Sequence, residues 1–250
     1  MAIMIKTTQE IEKMRRAGKI VHDVLEHVRE HVKTGATTLD LEKAAASKIA
    51  ELGAAPAFKG YRGYPCVLCT SVNEEVVHGI PSSNRTLRDG DIVSIDCGVV
   101  IDGYYGDSAI TVPVGVKVSD SAKRLLQVTM ASLESAIREV KPGATLGDIG
   151  AAVQEVVEAG GFSVVRDFVG HGIGTRMHED PQVPNYGRRG QGTRLREGMV
   201  IAIEPMVNAG RAGVQVLEDG WTAVTEDGSL SAHFEHTVAV TAKGAVVLTQ

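Results

Sequence analysis

Acidic side chains close apolar runs in this chain, and they do so twice. LRDGDIVSID (Leu87 to Asp96) returns at an offset of 108 residues as LREGMVIAIE (Leu195 to Glu204). VKTGATTLD (Val32 to Asp40) returns at the same offset as VKPGATLGD (Val140 to Asp148). Two blocks sharing one offset indicate a duplicated half. Each copy of the first block ends on a carboxylate, Asp96 in one half and Glu204 in the other. An ionised carboxylate at the end of a buried strand needs a partner, and a metal ion is the obvious one.

More acids and histidines stand in similar settings. SIDCGVVIDGYYGDSAITV (Ser94 to Val112) carries Asp96 and Asp107 on either side of a Gly-rich turn, with Asp102 inside the turn as a turn residue. VGHGIGTRMHEDP (Val169 to Pro181) holds His171 and His178. HFEHTVAV (His233 to Val240) starts an apolar strand at Glu235, much as Asp107 starts DSAITV. Four carboxylates at strand ends cannot all stay ionised near one another without cations. Several oxygens and one imidazole suit Mn, Fe, Co or Zn. Such a set can hold two ions roughly 3.5–4 Å apart with a bridging water as nucleophile. His78, in NEEVVHGIP, reads locally as a turn histidine, but shares HGI with His171 (HGIP against HGIG). His233 falls on the face of Glu235 and His236 on the other, which makes His236 structural. His22, His27 and His31 read as solvent-facing.

The elements that must position these residues follow from periodicity. Thr7-x-x-Glu10 is a capping box, and Ile11, Met14, Gly18, Val21, Leu25, Val28 and Val32 line one helix face over about residues 8–32. Thr37-x-x-Asp40 caps a second helix that Gly53 stops. Strand-like runs follow near 66–72, 92–101 and 107–112. The second half repeats the order: a helix after Ser119, another after Thr145-x-x-Asp148, then runs near 163–168, 199–206, 214–218, 221–225 and 234–240. The Gly-, Pro- and Arg-rich stretch 171–198 reads as loops. The pattern predicts an α+β fold in which helices cover one face of a curved, mainly antiparallel sheet. One catalytic domain is expected, of halves about 1–117 and 118–250 related by a pseudo-twofold axis.

Composition narrows the function. With 43% hydrophobic residues the chain can build a full interior. A net charge of −5 gives no footprint for nucleic acid, and the dense basic run RRGQGTRLR reads as a solvated loop. Cys66 and Cys69 form a lone C-x-x-C, read as small buried residues in a reducing compartment rather than a zinc site. No signal peptide or membrane-length apolar stretch is legible. A cytoplasmic protein with no membrane partner is expected.

Taken together, NEEVVHGIP, SIDCGVVIDGYYGDSA, GHGIG, IEPMVN and DGSLSAHFEHT resemble the bacterial type I methionine aminopeptidases over essentially the whole chain. The ordered set Asp96, Asp107, His171, Glu204 and Glu235 fits that family without a gap. The resemblance implies the pita-bread (creatinase/aminopeptidase) fold and two divalent metal ions per chain, of Co, Mn, Fe(II) or Zn. It implies that Asp96 binds one ion, that Asp107 and Glu235 bridge, and that His171 and Glu204 complete the other. His78 and His178 would contact the scissile amide and its carbonyl. Tyr61, Tyr64, Cys69 and Trp221 would line the methionine pocket. Phe58 and Met177 stand where cysteine and phenylalanine are frequent; both are apolar, so the methionine preference should survive.

The implied activity is removal of the initiator methionine from nascent chains with a small second residue. A metal-activated hydroxide would attack the first peptide bond, with Glu204 as base and then acid. One ion and His178 would stabilise the oxyanion, and the free α-amine would bind the second ion. Nascent N-termini at the ribosome are the expected partners of a monomer. One alternative is an X-Pro peptidase of the same fold. Such relatives usually carry an extra N-terminal domain, and a first helix starting near residue 8 leaves no room for one. The other is a binding module that lost its ligands, against which all five ligand types stand.

Overall fold

The structure, a computed structural model, describes residues 3–250; Met1 and Ala2, at the head of the expected first half, lie outside it. Helix α1 spans Thr8–His31 and α2 Thr38–Glu51. Both start on the expected capping boxes: Thr7 takes the Glu10 amide at 3.3 Å while Glu10 takes the Thr7 amide at 2.8 Å, and Thr37 and Asp40 exchange the same bonds. Met14, Val21, Val24, Leu25 and Val28 bury one face of α1 against the sheet. The strands of the first half are β1 (Ala55–Pro56), β2 (Leu68–Val72), β3 (Glu75–Val77), β4 (Ile92–Ile101) and β5 (Tyr104–Pro113).

The second half opens with α3 (Asp120–Glu139) and α4 (Leu146–Ala159), the latter capped by Thr145 and Asp148. Strands follow as β6 (Ser163–Val164), β7 (Gly170–Gly172), β8 (Glu179–Val183), β9 (Val200–Ile203) and β10 (Met206–Asn208). Next come β11 (Val214–Val216), β12 (Ala223–Thr225), β13 (Ser231–His233), β14 (Glu235–Thr241) and β15 (Gly244–Val247). The repeated blocks make the same backbone bonds. The Gly35 amide meets the Leu87 carbonyl and the Gly143 amide the Leu195 carbonyl, both at 2.9 Å.

The main sheet runs β1–β4–β5–β14–β9–β7–β8, with β2 on β4 and β15 on β14. Its pairings are antiparallel. The junction β5–β14 has a short ladder, completed by hydroxyls: Ser108 Oγ donates to the Glu235 carbonyl at 2.5 Å, and Thr237 Oγ1 to the Asp107 carbonyl at 2.7 Å. Those bonds hold the two acid-bearing strands in register.

Two expectations are corrected. Asp96 and Asp107 stand in the middle of ten-residue strands, not at their ends. The stretch 171–198 is not all loop, because it contains most of β7 and all of β8. The glycines of β7 permit close approach rather than break the chain: a Cβ on Gly170 would run into the Ala202 carbonyl, and one on Gly172 into the Asp180 carbonyl. Smaller differences follow the same logic of tertiary pairing. The run 163–168 is extended only at Ser163–Val164, and 199–206 breaks at Glu204–Pro205. In the basic run, Arg189 is exposed yet pairs with Glu139 at 2.9 Å and Glu155 at 2.7 Å. Cys66 is only half-buried.

Candidate active site

Sheet register puts four of the five acid and imidazole ligands on one face. Residues directly opposite in an antiparallel pair share a face, and so do residues two apart on one strand. Asp96 is opposite Ala109, and Ala109 is opposite Glu235 on the other side. Asp107 is two residues before Ala109. Thr237, two after Glu235, is opposite Ala202, and Ala202 is opposite His171. Glu204 follows the last residue of β9 and joins the set just past the strand's end. Cys69, opposite Asp96, points the same way. His236 has the other parity, and its Nδ1 meets the Thr249 hydroxyl at 2.8 Å.

Distances confirm the convergence. His171 Nε2 lies 3.7 Å from Asp107 Oδ2 and 3.6 Å from Glu204 Oε1. Behind them, His233 Nε2 stands 3.7 Å from Glu204 Oε2. Ligand atoms of Asp107, His171 and Glu235 all fall within 4.8 Å of one another. His171 Nδ1 is 2.8 Å from the Gly172 carbonyl, which only accepts, so Nδ1 carries the proton. In the neutral ring Nε2 is then a bare acceptor facing two carboxylates, an arrangement that a cation resolves.

The donor set fits divalent metal. Asp96 Oδ1, Asp107 Oδ1 and Glu235 Oε1 are buried with no hydrogen-bond partner, each at a cost of about 1–3 kcal/mol if left so. Burial, then the neighbouring acids, push the Asp96 and Glu235 carboxyls well above the usual range. Burial also raises Asp107, against the pull of His171. Glu204 is pushed up to about 8 by burial, with His171 opposing and Asp107 adding to the shift. Burial lowers His171, but Asp107, Glu204 and the Gly172 carbonyl outweigh it and hold the imidazole above its usual value. The cluster resists carrying its full negative charge alone.

The remaining predicted residues close around this cluster. His78, after β3, holds a left-handed backbone (φ 62°), and its ring stands edge-on to Phe168 and Trp221. His178, exposed at the cleft mouth, places Nδ1 2.9 Å from the Tyr61 hydroxyl and its ring 4.2 Å from that of His171. Although the residue is open to solvent at the mouth, its ring packs against Tyr61 and His171, and that desolvation, then the His171 charge, lowers its pKa. Phe58, Tyr64, Cys69 and Met177 are buried in one apolar cluster with Tyr61 and Trp221 packed on it. Tyr64 meets Trp221 edge-on, and its hydroxyl donates towards the carbonyls of Leu68 at 2.9 Å and Gly79 at 3.0 Å. All of the predicted site residues line a single cleft of about 150 Å³. Arg62 also lines it and was not singled out from sequence; nothing in YRGY marks it locally.

Gly98 sits on the same face, opposite Asp107. A Cβ there would lie 2.6 Å from Phe58 Cε1 and 3.2 Å from Met177 Cε. Gly98→Ala should therefore push both side chains into the apolar end of the cleft. The expected outcome is a rise in KM for methionyl peptides of about 10-fold, the scale of an overpacking penalty. Steady-state kinetics beside a metal analysis checks it; unchanged KM would mean that this wall does not bound the substrate pocket.

Fold and ligand cluster define a metallopeptidase, and residues 12–242 match metallopeptidase family M24. The methionine aminopeptidase of Clostridium acetobutylicum is 51% identical over 99% of this chain and 98% of its own length. A crystal structure of methionine aminopeptidase from Thermotoga maritima superposes with a TM-score of 0.98 at 52% identity, covering 100% of both chains. A prolidase from Pyrococcus horikoshii shares the fold alone, with a TM-score of 0.80 at 24% identity over 98% of this chain and 63% of its own. The chain belongs to the methionine aminopeptidases of family M24.

Proposed function

We propose that this enzyme removes the N-terminal methionine from nascent polypeptides whose second residue is small. The observation that carries the reading is the convergence of five ligand residues, three with unpaired buried oxygens, beside an apolar cluster that lines the same cleft. A single catalytic domain of two duplicated halves, about 1–117 and 118–250, forms the cleft between them. Asp96, Asp107, His171, Glu204 and Glu235 would hold two divalent ions, of Co, Mn, Fe(II) or Zn. Bound there, the ions supply Lewis acidity towards a carbonyl and towards water.

The chain's own groups do the rest. Phe58, Tyr61, Tyr64, Cys69, Met177 and Trp221 hold the methionine side chain, whose sulfur packs well against aromatic edges. Glu204 takes the proton of the attacking water and returns it to the leaving amine. The Tyr61 hydroxyl pairs with His178 Nδ1 at 2.9 Å; with the hydroxyl as donor, the ring proton sits on Nε2. That N–H donates to the carbonyl oxygen as charge develops on it. His78 faces the scissile amide. The enzyme works as a monomer in the cytoplasm on chains leaving the ribosome, with neither nucleic acid nor membrane as partner. Among the described residues no helix is long and apolar enough to cross a membrane.

Specificity gives the test. Met-Ala and Met-Gly peptides should be cut and Met-Lys and Met-Phe spared. Leucine in place of the first methionine should cost about 1–3 kcal/mol in kcat/KM, the scale of a shape mismatch in an apolar pocket. Equal rates for Leu and Met, or a preference for second-position proline whatever the first residue, would move the enzyme to the X-Pro peptidases.

A further inference from the structure

The segment 174–178 carries Met177 and His178 into the cleft without regular secondary structure. Its backbone is nonetheless tied down. Glu179, the first residue of β8, turns its carboxylate back onto it. Oε1 accepts the amides of Thr175 at 2.9 Å and Arg176 at 3.2 Å. Oε2 receives the Lys6 ammonium at 2.5 Å, from the stretch ahead of α1. The side chains of Lys6 and Glu179 are only 5% and 1% exposed. Lys6 is itself fixed: Nζ donates to the Met4 carbonyl at 3.2 Å, and its amide to the Gly198 carbonyl at 2.7 Å. At the other end of the segment, the Tyr105 amide of β5 donates to the Gly174 carbonyl at 2.9 Å.

A buried ion pair is weak support for stability, since desolvation offsets most of the attraction and an apolar pair of equal volume serves a fold as well. This one does something an apolar pair cannot. One oxygen of the carboxylate orders two amides of a site segment while the other is held from a distant part of the chain. Neither Lys6 nor Glu179 lines the cleft.

We propose that the Lys6–Glu179 pair is a positioning device for catalysis, fixing segment 174–178 and through it the place of the His178 imidazole. The inference rests on the reading of His178 as donor to the substrate carbonyl. Misplacement of a reacting group by about 1 Å is enough to cost roughly 10²-fold in rate.

The test is kcat on Met-Ala-Ser with metal-loaded enzyme. Glu179→Gln and Lys6→Met are each made alone and on a His178→Ala background, with the double Lys6→Met/Glu179→Gln as the variant that leaves no buried charge. Each should lower kcat by about 10- to 100-fold when His178 is present and by less than about twofold when it is absent. Amide exchange at Thr175 and Arg176 should quicken in Glu179→Gln while β4 and β5 stay protected. Equal losses in both backgrounds, or no loss in either, would overturn the positioning role while leaving His178 as assigned. A His178→Ala enzyme with undiminished kcat would overturn the reading of His178 itself, and the positioning role with it.

Discussion

Asp96→Ala and Glu235→Ala are each expected to abolish peptide cleavage and to strip the protein of its divalent ions. Both carboxylates are buried, share one sheet face with Asp107, and present an oxygen that no protein group satisfies. Removing either takes away a charged ligand and leaves too little negative charge to hold the ions. The fold should survive, and the metal-free protein should even gain from it. Burial and neighbouring acids raise these carboxyls, so the folded state binds their protons more tightly than the unfolded chain does. The contribution of these carboxyls to the stability of the metal-free protein is therefore fully present at acid pH and is lost as pH rises from the ordinary carboxylate range, for Glu204 up to about 8. Asp96→Asn should lift Tm in chelator at pH 8 and abolish the Tm rise that metal gives the parent. Either alanine variant keeping near-full turnover with a full complement of metal would overturn the ligand assignment.

The second large effect is expected at His178. His178→Ala should lower kcat by roughly 10²–10³-fold, the usual loss when one oxyanion donor is removed. Metal content should not change, because the ring is engaged through Nδ1 with Tyr61 rather than with the carboxylate cluster. Kinetics on Met-Ala-Ser with elemental analysis of the same preparation reads both quantities. Loss of metal in this variant would make His178 a ligand and remove its role as donor.

Much of this was legible in the sequence where local physics decides. The capping boxes at Thr7, Thr37 and Thr145 set three helix starts because each satisfies its own first turn. The 108-residue offset announced that two acid-bearing segments recur. Every residue expected at the site lines the one cleft. What was not legible depends on pairing between distant segments. β7 is three residues of GHG, and only β8 and β9 on either side make it a strand. Its glycines look like breakers until the neighbouring carbonyls are in view. Asp96 and Asp107 read as strand ends because one closes an apolar run and the other opens one; here both strands continue past them, and a metal site is what makes a mid-strand carboxylate tolerable. Lys6 and Glu179 meet across 173 positions, a separation at which periodicity and composition carry no signal.

The most direct measurement of the whole account is cleavage of a Met-Gly-Met peptide beside an X-Pro peptide by protein first stripped with chelator, then supplied with Co, Mn, Fe(II) or Zn in rising ratio. The account predicts no cleavage by the stripped protein, release of methionine restored as ions fill the site, two ions bound per chain at saturation, and no action on the X-Pro peptide. Undiminished release of methionine without metal, or restored activity directed at the X-Pro bond, would contradict it.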